Sequence, residues 1–275
     1  MKLTTHGTSR LAFLGFLATQ FSSILSSPLA EPFYVSDLAK RTCTYPLKFG
    51  AGTAKMVMLS YVSITETLGA VLSITGNIGV APAGAIVNIP AASVTGTIYL
   101  NAPSATAALA TASATCSCAA VALPRTTIAA TSITGSTFTP GNYYFAGAVN
   151  LAASGAVTFD AGGVSAAQFN MIIDGALVTG ASSTVILKNG AKACNIFWVI
   201  GPPASSAGAD TTLGASSVFN GNICDWGAIT TGLGVTYTGL MVTLKQTAAS
   251  VISLDGASRQ DGIERRTILD DREEI

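Results

Sequence analysis

Short apolar runs separated by glycine, serine and asparagine recur along most of this chain. The stretch ITGNIGVAP, residues 74–82, is typical, because its β-branched residues alternate with small turn-forming residues and none of them is suited to catalysis. β-branched residues favour strands, whereas glycine and asparagine tolerate the positive φ of tight turns. The pattern predicts a mainly β fold built from many short strands.

The second half of the chain repeats a unit of three strands. Each unit has an apolar strand, a glycine turn, a short second strand, a turn of small residues and a third strand. The spacing of about twenty to twenty-seven residues lies in the range of solenoid repeats. One unit cannot bury its inward side chains alone, but stacked units form a continuous apolar column. The repeat therefore predicts a three-sided parallel β-solenoid. The units begin at Asn142, Phe169, Asn195, Asn222 and Leu244.

Alternation along the second strand of each unit predicts which side chains face solvent. In AVNL, Val149 and Leu151 point inward and Asn150 points outward. Neighbouring strands lie about 4.8 Å apart, so equivalent outward residues form a column. That column is predicted to contain Asn150, Val178, Thr212, Thr230 and Ser253, flanked two positions further on by Ala152, Gly180, Gly214 and Gly232. Together these residues predict a flat, uncharged and lightly hydroxylated surface, which we call the strip.

Residues 104–123, SATAALATASATCSCAAVAL, interrupt the strand pattern and predict one helix. The stretch is rich in alanine, contains no glycine and is bracketed by Pro103 and Pro124. Proline is common at the start of a helix and just after its end, and Ser104 is a candidate N-cap. An alanine-rich linker is the alternative, since the stretch lacks charged residues. One face of the predicted helix contains Leu109, Cys116, Ala120 and Leu123.

Charged residues are scarce and unevenly placed. They make up 10% of the chain, against about 25% in an ordinary globular domain, and the formal net charge is zero. Ten of them lie between Arg259 and Glu274, and ten more are spread between Met56 and Ala257. Nucleic-acid binding relies on clustered Lys and Arg, so no nucleic-acid partner is expected. The body of the protein presents Thr, Ser, Ala and Gly to solvent.

The first thirty residues have the pattern of a cleaved secretory signal. Lys2 and Arg10 are followed by the apolar run LAFLGFLATQFSSIL, and SSPLA ends in small residues, with cleavage after Ala30. A membrane anchor is the alternative, but the run is interrupted by polar residues and is short for a bilayer. We expect a secreted, extracellular protein with no membrane span after signal removal. The expected segments are a signal peptide (1–30), a leader (31–49), the solenoid domain (50–257) and a charged flexible tail (258–275).

Five cysteines follow the expected cleavage point: Cys43, Cys116, Cys118, Cys194 and Cys224. An odd number leaves at least one thiol free or paired between chains. Cys116 and Cys118 are too close in sequence to suggest a mutual disulfide, and a C-x-C pair without histidine is a weak metal signature. The sequence leaves the pairing open, and no metal or cofactor is expected.

Several segments in order resemble the microbial ice-binding (antifreeze) protein family. ITGNIGVAP matches the most recognisable stretch of that family, and five further segments follow in the family's order, over about residues 49–256. The family resemblance implies a right-handed three-sided solenoid whose coils are not stacked in simple chain order, with one α-helix alongside. The five segments are VTGTIYL at Val94, FTPGNYYF at Phe138, AVTFDAGG at Ala156, VILKNGAKACNIFWVIG at Val185 and TTLGASSVFNGNI at Thr211.

The chain departs from the family pattern in three places. The helix is shorter and lacks acidic residues, PPASSAGAD at residues 202–210 is an insertion, and residues after Ser258 have no counterpart. The insertion is expected to distort the strip near Thr212.

The resemblance also implies the function. A secreted, non-enzymatic monomer would adsorb to ice crystals through one flat side of the solenoid, depress the freezing point and inhibit ice recrystallisation. We assign that side to the strip, with Thr65, in VSITET, as its N-terminal contribution.

Two other classes of protein share a solenoid fold, namely polysaccharide-cleaving enzymes and surface-binding proteins. A solenoid hydrolase or lyase needs clustered carboxylates, or a basic group beside a metal. The sole histidine is His6, within the expected signal, so the mature chain would have no imidazole base and no imidazole metal ligand. No catalytic residue is therefore expected. An extracellular adhesin or matrix protein that binds a polysaccharide or mineral surface remains the alternative. A stripe of Trp or Tyr would favour sugar binding, but Trp198 and Trp226 lie in apolar strands and face either the core or the helix, which alternation does not decide. The aspartates are scattered beside turn residues, at Asp160, Asp174, Asp210, Asp225 and Asp255.

Overall fold

The computed structural model of this protein describes residues 43–67, 72–203, 209–245, 247, 250–255 and 259–261. The chain divides into Met1–Phe33 and Tyr34–Ile275, and every described residue lies in the second unit. The expected signal peptide, most of the leader and residues 262–275 of the expected tail lie outside the described residues. Within the described residues, no helix has the length and apolar character needed to cross a bilayer.

In the part of the chain that the structure describes, twenty-three strands, numbered in chain order, form three parallel sheets. In order of pairing, the nine-stranded first sheet contains β6 (Ile98–Leu100), β4 (Asn77–Val80), β1 (Met56–Ser60), β21 (Met241–Thr243), β18 (Asn222–Asp225), β15 (Ile196–Ile200), β12 (Phe169–Ile173), β9 (Gly141–Phe145) and β7 (Thr126–Thr127). The seven-stranded second sheet contains β10 (Val149–Leu151), β13 (Leu177–Thr179), β16 (Thr211–Leu213), β19 (Ile229–Thr231), β22 (Val251–Leu254), β2 (Ser63–Glu66) and β5 (Ala85–Val87). The seven-stranded third sheet contains β3 (Ser73–Thr75), β23 (Arg259–Asp261), β20 (Thr236–Thr238), β17 (Val218–Asn220), β14 (Thr184–Lys188), β11 (Ala156–Asp160) and β8 (Thr137–Phe138).

From β1 to β5 and from β9 to β23 the chain visits the three sheets in turn, so each complete coil adds one strand to each sheet. From β9 to β20 the coils follow chain order, but the last coil, β21 to β23, pairs with the first coil, β1 to β3. The last coil therefore lies between the first coil and the coil of β18 to β20. This confirms the expected mainly β fold with parallel sheets and one long helix, and the coils are stacked out of chain order, as the family resemblance implies.

Inward side chains of the three sheets form one apolar core. A run of aromatic rings passes through it, with centroid distances of 5.7 Å from Phe138 to Phe159, 5.4 Å from Phe159 to Trp198, 5.1 Å from Trp198 to Phe219 and 6.0 Å from Phe219 to Tyr237. Aromatic contacts of this kind add to the burial of apolar area. Trp198 is thus a core residue, which the alternation pattern alone did not decide.

The long helix α2 spans Pro103–Ala120 and follows the short helix α1, Ala51–Ala54. It confirms the predicted helix but begins one residue earlier, since Ala102 is the N-cap and Ser104 lies in the first turn. Leu123 was wrongly assigned to the buried face, because the helix has ended before it and its side chain is 75% exposed. The helix ends shortly before Pro124, in keeping with the restriction that proline places on the preceding backbone.

Helix α2 packs on the outer face of the first sheet. Leu109 and Ala112 are fully buried in a second apolar cluster with Phe197 and Val199 of β15, and Trp226 packs against the same cluster. Two disulfides hold the helix: Cys116–Cys224 ties it to the sheet and Cys43–Cys118 ties it to the residues that precede α1. The fifth cysteine, Cys194, forms no disulfide.

The third sheet extends past the boundary expected at residue 257. Strand β23, Arg259–Asp261, pairs with β20 on one side and β3 on the other. The expected tail therefore starts with residues that belong to the sheet.

Candidate functional site

The outward positions of the second sheet pair in one continuous row. Strands β10, β13, β16 and β19 each have a buried, exposed, buried pattern, as alternation predicts. The structure brings together all six outward residues inferred from the sequence and adds one at each end. The resulting eight residues, which we call the central row, are in order of pairing Ser132, Asn150, Val178, Thr212, Thr230, Ser253, Thr65 and Val87.

The central row is uncharged and mixes hydroxyl and methyl groups. Val178 and Val87 are 43% and 39% exposed, so the row presents apolar surface as well as the hydroxyls of its threonines. Thr212 and Thr230 are exposed, whereas Thr65 is half-buried. Because parallel strands repeat about every 4.8 Å, the row is a ladder of small side chains at a fixed spacing.

The glycines of the strip are fixed by close packing at the corner between the second and third sheets. An added Cβ would lie 2.3 Å from a backbone atom of the neighbouring coil at Gly180, 2.4 Å at Gly214 and 2.7 Å at Gly232. These distances are too short for any side chain, while Ala152, on the coil of Asn150, keeps a small exposed one. The border of the central row is therefore low because consecutive coils approach closely there.

The outer face of the third sheet differs in charge. Asp160 and Lys188 are paired positions of β11 and β14. The Asp160 carboxylate accepts hydrogen bonds from the Gly162 N–H and from Asn189, which lower its pKa. Helix α2 covers the outer face of the first sheet. Among the described residues, the second sheet is therefore the one that presents an uncovered and uncharged row of side chains to solvent.

Comparison with known proteins assigns the family. A sequence profile described as Ice-binding-like matches residues 58–257. The chain belongs to this family. It is 32% identical over 162 residues to an ice-binding protein of Nostoc sp. (strain HG1), a match that covers 59% of this chain. The chain spans 56% of the length of that relative.

Solved structures of ice-binding proteins share the fold. An ice-binding protein from an Antarctic biological consortium is 25% identical, with a TM-score of 0.67, over 80% of this chain and 93% of that chain. One from the Antarctic ascomycete Antarctomyces psychrotrophicus is 24% identical, with a TM-score of 0.66, over 77% of this chain and 96% of that chain.

The insertion that separates this chain from the family pattern leaves the central row in register. Thr212, the first outward residue after residues 202–210, pairs with Val178 on one side and Thr230 on the other. The row keeps its register at Thr212, but the pairing of β13 with β16 ends there, so the expected distortion of the strip near Thr212 stays a prediction. The Asp210 carboxylate, at the end of the insertion, accepts a hydrogen bond from the Ala228 N–H at 2.8 Å, so it ties the returning chain to the next coil.

The remaining aspartates of this family member have structural contacts. Asp225 is fully buried and accepts hydrogen bonds from the Thr211 hydroxyl at 2.5 Å and the Gly227 N–H at 2.6 Å. Burial raises the pKa of Asp225 well above its usual range. Asp174 accepts a hydrogen bond from the Tyr144 hydroxyl, which raises the pKa of that tyrosine. Among the described residues, no three His, Cys, Asp or Glu side chains lie together as metal ligands would.

Proposed function

We propose that this protein adsorbs to ice through the central row and its low glycine border. Their side of the molecule is one of the three sides of a right-handed β-solenoid. The observation that carries this proposal is the continuous register of eight small, uncharged outward side chains across the second sheet. Membership of the ice-binding-like family supports it.

Ice offers neither charge nor pocket, so an ice binder must match a lattice of water. A row with a repeat of about 4.8 Å comes close to an oxygen repeat on some ice planes. Methyl and hydroxyl groups in alternation can hold an ordered layer of water that merges with ice. A rigid row also avoids the loss of conformational entropy that a mobile surface would suffer on binding. Adsorbed protein then forces ice to grow as curved fronts, which lowers the freezing point and slows recrystallisation.

The same proposal extends to the location of the protein, its lack of enzymatic activity and its oligomeric state. Disulfides form and persist outside the reducing cytosol, so Cys43–Cys118 and Cys116–Cys224 support a secreted protein. Membership of the family and the structural hydrogen bonds of the aspartates support a protein without enzymatic activity. We propose that it acts on ice as a monomer, without a cofactor.

The direct test measures thermal hysteresis, ice-crystal shape and recrystallisation inhibition, for the unaltered protein and for Thr230→Tyr. Thr230 is exposed at the middle of the central row. A substitution at an exposed site usually changes the free energy of unfolding by no more than about 0.5 kcal/mol. We expect Thr230→Tyr, and equally Thr212→Tyr, to remain folded and to lose most of the hysteresis, because one bulky ring lifts the rigid row from the lattice.

Thr158→Tyr is the matched control, since Thr158 points outward from the third sheet. This variant should keep its hysteresis and its melting temperature. A folded Thr230→Tyr variant with full hysteresis would place the ice-binding side elsewhere. An unaltered protein that leaves ice growth unchanged, but is retained by a polysaccharide or mineral surface, would favour an adhesin.

A further inference from the structure

The connections from the first sheet to the second differ in length. Residues 146–148 and 174–176 make connections of three residues, but residues 201–210 and 244–250 make connections of ten and seven residues. The longer connections lead into β16 and β22, which contribute Thr212 and Ser253 to the central row. A long connection does not by itself fix where the next strand begins, so the structure needs another device to set the register.

A buried column of side chains lines this corner, and its chemistry changes along the stack. The last residue of each first-sheet strand pairs with that of the next coil. At the ends of β9, β12 and β15 these residues are apolar, and at the ends of β18, β21 and β1 they are polar and fully buried. The apolar ones are Phe145, Ile173 and Ile200, and the polar ones are Asp225, Thr243 and Ser60.

Asp225 joins the coils of Thr212 and Thr230. One carboxylate oxygen accepts a hydrogen bond from the hydroxyl of Thr211, the residue before Thr212. The other accepts one from the N–H of Gly227, in the connection that leads to Thr230. A single buried side chain therefore holds the entrances of two consecutive strands of the second sheet.

Thr243 and Ser60 hold the entrances of the next two strands of the second sheet, β22 and β2. The Thr243 hydroxyl donates to the Ser60 hydroxyl at 2.9 Å, and that hydroxyl donates to the Ser250 carbonyl oxygen at 3.2 Å. The Ser60 oxygen also lies 3.1 Å from the backbone nitrogens of Val62 and Ser63. Ser250 immediately precedes β22, and Ser63 is the first residue of β2.

We propose that Asp225, Thr243 and Ser60, together named the register clamp, are positioning residues for the central row. Apolar packing is non-directional, whereas hydrogen bonds to defined atoms of the incoming strands specify one register. A slip of one residue would turn an outward side chain inward. The inference rests on the proposed function, because the register matters for activity if the row meets ice. The positioned residues are Thr212, Thr230, Ser253 and Thr65.

Three variants test the clamp. Asp225→Ala removes both hydrogen bonds, while Asp225→Asn keeps an acceptor for Gly227 and an amide that can pair with the Thr211 hydroxyl. Tyr237→Phe is the matched control, because it removes another buried hydrogen bond, from the Tyr237 hydroxyl to the Gly221 carbonyl oxygen at 2.7 Å, away from the second sheet. Since a binding array tolerates small displacements poorly, Asp225→Ala should reduce thermal hysteresis to about half or less. Asp225→Asn and Tyr237→Phe should keep most of it.

Amide hydrogen exchange supplies a readout that does not depend on ice. Asp225→Ala should lose protection selectively in β16 and β19, and Tyr237→Phe should not. If Asp225→Ala fails to fold, Thr243→Val is measured instead, with the same expected losses in β22 and β2. A folded clamp variant with full hysteresis, or with unchanged exchange in those strands, would overturn the proposal. An unaltered protein without ice activity would overturn the proposed function, and exchange alone would then decide whether the clamp sets the register.

Discussion

At the scale of single residues, the second sheet is constrained on its inside and at its border. The inward neighbours of the central row, such as Leu177 and Ile229, are fully buried, so a shift of one position would expose them. At the border, Gly180, Gly214 and Gly232 permit the close approach of neighbouring coils. These two constraints fix the backbone that carries the outward side chains.

This border predicts the effect of a single methyl group. In Gly214→Ala the added carbon would lie 2.4 Å from a backbone carbon of the neighbouring coil, so the coils must separate. Overpacking of this kind typically costs about 1–3 kcal/mol of unfolding free energy. Gly147→Ala is the control, since no atom lies within 4 Å of its added Cβ. Urea unfolding monitored by circular dichroism should separate the two, and equal stabilities would show that the corner can relax.

At the scale of elements, helix α2 is attached to the β-structure by a few strong restraints. Its buried face consists mainly of alanine, which brings the helix close to the sheet but buries little apolar area per residue. Neighbouring cysteines near its end, Cys116 and Cys118, point to different partners and fix the helix on two sides. The disulfides therefore supply restraint that the small apolar contact lacks.

Removal of the disulfide between Cys116 and Cys224 tests whether the disulfides supply the restraint that the apolar contact lacks. The double change Cys116→Ala and Cys224→Ala opens a link between residues 108 positions apart. Loss of a native disulfide from a small secreted domain costs about 2–5 kcal/mol, so the melting temperature should fall clearly. Below that temperature the hysteresis should persist, because the central row lies on another sheet. Cys194→Ser should change neither property, and a double variant with unaltered melting would contradict the restraint.

At the scale of the whole molecule, the coils form one continuous stack although they are out of chain order. The last coil supplies β21, β22 and β23, each of which pairs on both sides. It joins the first coil to the coils of β9 to β20 in all three sheets. It also contributes Ser253 to the central row, between Thr230 and Thr65. Folding of the N-terminal coils therefore depends on residues near the other end of the chain.

Truncation tests this dependence. A chain that stops after Leu240 lacks the last coil, which leaves β1 without its partner β21 and exposes buried residues such as Met58. We expect this chain to give no cooperative unfolding transition at the temperature of the full protein. A chain that stops after Asp261 keeps every described strand and should unfold like the full protein. Identical transitions for the two truncated chains would show that the first coil folds without the last.

The sequence by itself determined that the fold is mainly β, that one long helix interrupts the strands and that six central-row residues point outward. These features depend on local rules, because alternation along a strand and proline at a helix boundary need no knowledge of distant residues. The same rules place Thr212 and Thr230 on the outward side of their strands without any information on which strands pair. Their role in ice binding stays a prediction.

The tertiary structure alone decided how distant segments meet. Val87 and Ser132 extend the central row because their strands stack at its two ends, far apart in sequence. The register clamp likewise joins Ser60 to Thr243 across most of the chain. Local periodicity carries no information about which coil lies beside which, since that order follows from the packing of complementary coils over long sequence separations. For the same physical reason, the sequence could not show that Thr212, the first outward residue after the insertion, keeps its register with Val178 and Thr230.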